Sequence, residues 1–138
     1  MKKRVLILCT GNSCRSQMAE GALKHFGGED FDVESAGLYP SIVHPNAVAV
    51  MKELGMDISG HRSKHLDEFK GQHFDYVITV CDHANEVCPV FPAKTQRLHW
   101  PFPDPVQYSD RSPAALAEFR QVRNMIVEKF KNWQKSLK

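Results

Sequence analysis

Long apolar runs are missing from this chain. The first strand-like stretch, Val5-Leu6-Ile7-Leu8, has four residues, whereas a membrane-spanning helix needs about 20. No membrane attachment is expected. The basic start Met1-Lys2-Lys3-Arg4 is followed by too short an apolar segment for a signal peptide, which makes a cytoplasmic protein the expectation. Excess charge of one sign is also missing: 18 Lys and Arg against 16 Asp and Glu leave a net +2, too little to mark a nucleic-acid binder. Lys129, Lys131, Lys135 and Lys138 read as the solvated face and tail of a helix. Cysteine is sparse, and four thiols in a cytosolic chain point to thiol chemistry or a metal, not to a permanent disulfide framework. The seven histidines show no metal-ligand spacing, so His83 and His99 read as satisfied surface or core groups. Repeats and low-complexity tracts are absent.

The remainder has the patterning of a globular enzyme. With 138 residues and 42% hydrophobic content, a single catalytic domain over residues 1–138 is expected, and with no evident exposed apolar stripe it is expected to be a monomer. Strand-like runs at Arg4 to Leu8, Phe31 to Ser35, Asp75 to Val80 and Thr95 to Trp100 alternate with helical stretches, predicting an α/β fold with a four-stranded parallel sheet flanked by helices. The helical stretches run from Gln17 to Phe26, closed by Gly27-Gly28, from Pro45 through Leu54 to Gly55, and near His65 to Phe69. Leu116, Phe119, Val122, Ile126, Phe130 and Trp133 mark the buried face of a long C-terminal helix. A doubly wound order 2-1-3-4 would put the first and third strands side by side, with a ligand site at their carboxyl ends. Cys9 and Cys81 follow those two strands.

Cys9-Thr10-Gly11-Asn12-Ser13-Cys14-Arg15-Ser16 directly follows the first strand. Its backbone N–H groups can curl inward as a nest, and a helix starting near Arg15 adds its positive dipole end, so a tetrahedral dianion fits there. Thr10, Gly11, Asn12, Ser13, Cys14, Arg15 and Ser16 are the expected substrate-binding residues. Arg15 offers a bidentate fork, and the same field is expected to hold Cys9 as a thiolate nucleophile. Gly11 permits positive φ, Asn12 tolerates the left-handed region, Ser13 allows close approach, Cys14 packs the loop and Ser16 can donate to the thiolate.

The segment from Cys81 to Cys88-Pro89 places two more thiols seven residues apart. On a continuous helix they would be about 10 Å apart, beyond the roughly 7 Å Cα separation of a disulfide, so pairing requires unwinding. Pro89 and Pro92 favour such unwinding. A zinc site on Cys9, Cys14, Cys81 and Cys88 is disfavoured by the spacing and by the neighbouring Arg15 cation.

Cys9-x5-Arg15-Ser16 resembles the phosphate loop of low-molecular-weight protein tyrosine phosphatases. Cys81-x6-Cys88-Pro89, with Trp100 and Asp104-Pro105, resembles the thioredoxin-coupled arsenate reductases built on that fold. Gln17-Met18-Ala19-Glu20-Gly21, Glu34-Ser35-Ala36-Gly37 and Pro45-Asn46-Ala47 extend the likeness over nearly the whole chain. The resemblance implies that Cys9 attacks arsenate, that Arg15 stabilises charge and that Asp104 protonates the leaving oxygen. It further implies that Cys81 and Cys88 complete a disulfide relay reduced by thioredoxin, with no bound cofactor. The Trp100-to-Pro105 segment is expected to enclose Asp104 in apolar surroundings. Asn12, Glu20 and Ser35 correspond to residues that hold potassium in some relatives, but Lys64 stands where the fourth ligand is an Asp, so no bound metal is expected. The competing readings are a phosphatase hydrolysing phosphate monoesters and a non-catalytic oxyanion or redox sensor.

Overall fold

The computed structural model describes residues 2–88, 94–105 and 112–137, so Pro89, Pro92 and Lys138 lie outside the described residues. Four strands, β1 (Lys3–Cys9), β2 (Phe31–Gly37), β3 (Tyr76–Thr79) and β4 (Gln96–His99), form one parallel sheet in the order β2-β1-β3-β4. This is the 2-1-3-4 order read from the sequence. Central β1 has Val5, Leu6, Ile7 and Leu8 at or below 1% exposure, which explains why its apolar residues are continuous and do not alternate. All four strand bounds shift, β1 gaining one residue at each end and β4 losing one at each end. β2 runs on to Gly37 because it stays paired with β1 up to Cys9, and β3 is confined to Tyr76–Thr79.

Helices α1 (Arg15–Gly27), α2 (Pro45–Lys52), α3 (Asp82–Val87) and α4 (Pro113–Ser136) connect or follow the strands, with a short 3-10 turn over Leu66–Phe69. α4 packs against α1 and α2. Phe119, Val122, Ile126 and Phe130 are buried, as their spacing predicts, while Leu116 and Trp133 pack partly exposed at the edge of the same stripe. Ser112 caps α4 by accepting from Ala115 N–H at 3.1 Å, and Pro113 takes the first turn. α2 ends at Gly55 in a Schellman motif: Gly55 N–H donates to Lys52 O and Met56 N–H to Met51 O, with φ +76 at Gly55. Gly28, by contrast, keeps a right-handed φ of −61, so α1 closes without a left-handed residue; Asp30 N–H to Gly27 O makes the turn.

Gly37 ends β2 directly against the Cys9 loop. A Cβ at this position would stand 2.6 Å from Thr10 O and 2.8 Å from Asn12 N, both backbone atoms that cannot swing aside. Gly37→Ala should therefore cost about 2 kcal/mol, measured as a lower denaturant midpoint with unchanged m-value, because an overpacked backbone contact has to be relieved by moving the loop. A midpoint equal to wild type would show that the loop yields freely.

Candidate active site

Parallel pairing carries the carboxyl ends of β1 and β3 to the same edge, with Leu8 opposite Thr79 and Val80 N–H donating to Leu8 O at 3.0 Å. Cys9 and Cys81 therefore meet. A cavity of about 240 Å³ opens there, lined by Cys9, Thr10, Gly11, Ser13, Cys14, Arg15, Ser41 and Asp104. A larger hollow of about 510 Å³, lined in part by Lys2, Phe31 and Tyr76, lies at the opposite edge and contains no thiol.

The loop between β1 and α1 is held from its buried side. Asn12 takes φ +47 and is the one loop residue in the left-handed region; Gly11, expected to share that role, does not. The fully buried Asn12 amide donates to Ser16 Oγ (2.8 Å) and Ser35 Oγ (2.9 Å) and accepts from Gln17 Nε2 (3.0 Å) and Lys64 N–H (2.8 Å). The local bonds to Ser16 and Gln17, joined by the distant partners Ser35 and Lys64, offset the αL cost that a side chain normally incurs. From above, Leu38 and Tyr39 N–H donate to Thr10 O, His44 N–H donates to Ser13 O, and Ser63 Oγ donates to Gly11 O at 3.0 Å. The first intrahelical bond of α1 is Met18 N–H to Cys14 O, and no side chain caps its first turn. Uncapped N–H groups and the helix dipole at such an end favour an anion.

Arg15 is largely buried, with Nη1 donating to Phe102 O at 3.1 Å and Nη2 3.7 Å from Asp104 Oδ2. Asp104 sits at the rim with its side chain 55% exposed. The apolar enclosure expected from the Trp100-to-Pro105 segment does not form around this carboxyl group, because those aromatic rings turn elsewhere: Trp100 packs on Phe130 and Trp133 at centroid distances of 5.3 and 5.5 Å.

All four thiols are free. Cys81 caps α3, accepting from Ala84 N–H at 3.4 Å, and lies 3.3 Å from Thr10 Oγ1. Its thiol is lowered to about 5, foremost by the hydrogen bond from Cys9 and further by Thr10, Ala84 N–H and Arg15, against the upward push of burial. Cys9 is pushed up, first by that same bond to Cys81 and then by burial, while Arg15 and the Thr10 amide pull it down. The directions of the two shifts favour the thiolate on Cys81, whereas the sequence pointed to Cys9. Cys81 has donors from two elements as well as Cys9; Ser16, expected to donate to Cys9, instead receives the Asn12 amide. Ultraviolet titration of thiolate should accordingly show one thiolate per chain forming near pH 5 and persisting at neutral pH. Cys81→Ser should abolish that transition, and its survival in the variant would place the charge elsewhere.

Cys14 is pushed up to about 12 by burial and stays a thiol, consistent with a packing role. Half-buried Cys88, raised by burial, lies beyond the far end of α3 from Cys81. The seven-residue separation along an intact helix keeps the two thiols beyond disulfide reach. α3 is tied to β4 from outside: His99 bonds Thr79 Oγ1 at 2.7 Å and Asp82 Oδ1 at 2.8 Å, which satisfies the histidine as expected, and His83 is exposed.

Sequence reasoning missed Ser41, Gln17 and Gly37 as parts of the site. Gln17 joins Asn12 to Arg62 O and His61, and Ser41 N–H donates to Ser63 Oγ. Ser41 had one available signal: it follows β2, which neighbours β1, at the ligand-binding edge of a doubly wound sheet.

Residues 4–138 match the low molecular weight phosphotyrosine protein phosphatase family. An arsenate reductase of Halalkalibacterium halodurans is 46% identical over 132 residues, covering 96% of this chain and 95% of that one. A solved arsenate reductase in its phosphate-binding state superposes with a TM-score of 0.80 at 37% identity, covering 99% of both chains. A thioredoxin-dependent arsenate reductase of Corynebacterium glutamicum gives a TM-score of 0.72 at 29% identity over 98% of this chain and 63% of that one.

Proposed function

This chain belongs to the low molecular weight phosphotyrosine protein phosphatase family, and within that family we propose that it reduces arsenate to arsenite through a relay of Cys9, Cys81 and Cys88 recharged by thioredoxin. The observation that carries this reading is the placement of cavity-lining Cys9 and of Cys81 just past the ends of the adjacent parallel strands β1 and β3, with Cys81 Sγ 3.3 Å from Thr10 Oγ1 and Cys88 one short helix away. Phosphate-ester hydrolysis by such a loop requires only the first of those thiols.

Arsenate, a tetrahedral oxyanion like phosphate, enters between the loop amides and Arg15. Cys9 passes its proton to Cys81 and attacks arsenic(V). An As–O bond breaks, and Asp104 at the rim relays a proton from solvent to the departing oxygen, which leaves as water. Cys81 then gives its proton up to solvent and attacks Cys9 Sγ. The electron pair of the S–As bond stays on arsenic, which departs as arsenite, arsenic(III), leaving a Cys9–Cys81 disulfide. Unwinding of α3 brings Cys88 within reach and wets its thiol, lifting the burial that holds it protonated. Its thiolate attacks Cys81 Sγ and releases Cys9 as a thiolate. The resulting Cys81–Cys88 disulfide carries the two oxidising equivalents taken from arsenate, and reduced thioredoxin, a dithiol, removes them by exchange.

The deciding assay follows NADPH oxidation with arsenate, thioredoxin and thioredoxin reductase. Sustained arsenate-dependent turnover is expected; hydrolysis of p-nitrophenyl phosphate with no NADPH oxidation would overturn the proposal in favour of a phosphatase.

A further inference from the structure

On its buried side the loop rests on a cluster of charges that the thiol chemistry leaves unused. Glu20 Oε2 lies 2.6 Å from Lys24 Nζ and 3.7 Å from His61 Nε2; Oε1 accepts from Ser35 Oγ at 2.5 Å and lies 3.7 Å from Lys64 Nζ. Lys64 is 6% exposed. Its ammonium is also 3.4 Å from Arg62 O and 3.9 Å from Glu34 Oε2. Its main chain ties two elements together: Lys64 N–H donates to Asn12 Oδ1, and Lys64 O accepts from Gly37 N–H at 2.9 Å.

The resemblance to potassium-binding relatives makes Asn12, Glu20 and Ser35 the donor set to test, and the residues present do not fit a metal cation. Asn12 Oδ1 already accepts twice, from Gln17 and Lys64. Ser35 Oγ accepts from Asn12 and spends its proton on Glu20. Each Glu20 oxygen faces a lysine ammonium. A metal ion would join two ammonium groups on one buried carboxylate, with repulsion little screened by solvent. A buried Lys with only long contacts to its anions would be unusual unless the charge itself were needed there.

We propose that the Lys64 ammonium is a built-in counter-ion in the place of a bound monovalent cation. It is a positioning residue that holds Glu20, and through its N–H Asn12, in the arrangement that keeps the loop open to an oxyanion. The idea rests on the oxyanion-binding part of the proposed function, not on the redox relay. Oxyanion binding by this chain is then independent of potassium.

The test compares wild type, Lys64→Met and Lys64→Asp in equal concentrations of potassium, sodium or choline chloride. It reads the thermal midpoint and the affinity for inorganic phosphate by calorimetry. Wild type should give the same midpoint and affinity in all three salts. Lys64→Met should bind phosphate roughly tenfold more weakly, equally in each salt, as expected for losing one charged contact behind the site. Lys64→Asp should be weak in choline chloride and recover midpoint and affinity in potassium chloride, a rescue that a purely structural lysine would not produce. A potassium-specific gain in wild type overturns the proposal, and so does a Lys64→Met protein equal to wild type or a Lys64→Asp protein blind to potassium. Should either variant fail to fold, the wild-type salt comparison still decides. Wild type that binds no phosphate in any salt would instead count against the oxyanion reading itself, while the midpoints continue to report on Lys64.

Discussion

Replacing the three thiols one at a time should stop steady-state arsenate reduction in each case, and each variant should stop at a different place. Cys9→Ser leaves no sulfur at the cavity floor to attack arsenic, so no arsenite forms and p-nitrophenyl phosphate hydrolysis disappears as well. The expected loss is about 10⁴-fold or more, since removing a nucleophile removes the covalent path altogether. Cys81→Ser can form the first adduct but not resolve it, so it releases no arsenite. Cys88→Ser should release one arsenite per chain in a single burst and then hold a Cys9–Cys81 disulfide, visible by mass spectrometry as a loss of two hydrogens. The last variant is the most diagnostic, because a phosphatase with two incidental cysteines would show neither burst nor disulfide. Turnover persisting in Cys88→Ser would remove the third thiol from the relay and leave thioredoxin attacking Cys81 directly.

Arg15→Lys carries the second large expectation, a fall in kcat/KM for arsenate of about 10²- to 10³-fold. The guanidinium lines the cavity, with Nη1 donating to Phe102 O and Nη2 facing Asp104, and its remaining N–H groups can grip two oxygens of a tetrahedral anion. Lysine keeps the charge but is a point donor on a flexible stem, so it cannot reproduce the bidentate grip. The loss should fall on both arsenate reduction and phosphate-ester hydrolysis, since one loop serves either anion. Denaturant stability should change little, because Arg15 lines the cavity and is not part of the apolar core. A variant with wild-type kcat/KM would show that the loop amides and helix end carry the anion unaided.

What the chain discloses without coordinates is whatever depends on neighbours in sequence. The strand order follows from alternating strand and helix patterns with short right-handed crossovers, and the run from Cys9 to Ser16 displays its chemistry because nucleophile, turn residues and arginine belong to one contiguous loop. Only the folded arrangement could decide the features built from distant segments. Thr10 and Ala84 N–H join Cys9 in drawing the shared charge onto Cys81, which no local reading of the Cys9 loop could anticipate. Asp104 lies open at the rim beside Arg15 because Trp100 prefers the aromatic surface of α4. Gly37 is required by a backbone contact with a loop more than twenty residues earlier in the chain, and Lys64 reaches Glu20 and Asn12 from more than forty residues away. Hydrogen bonds, charge sharing and close packing act over a few ångströms in space, so the sequence by itself determines the chemistry of the loop, while tertiary structure decides which thiol carries the charge and what holds that loop in place.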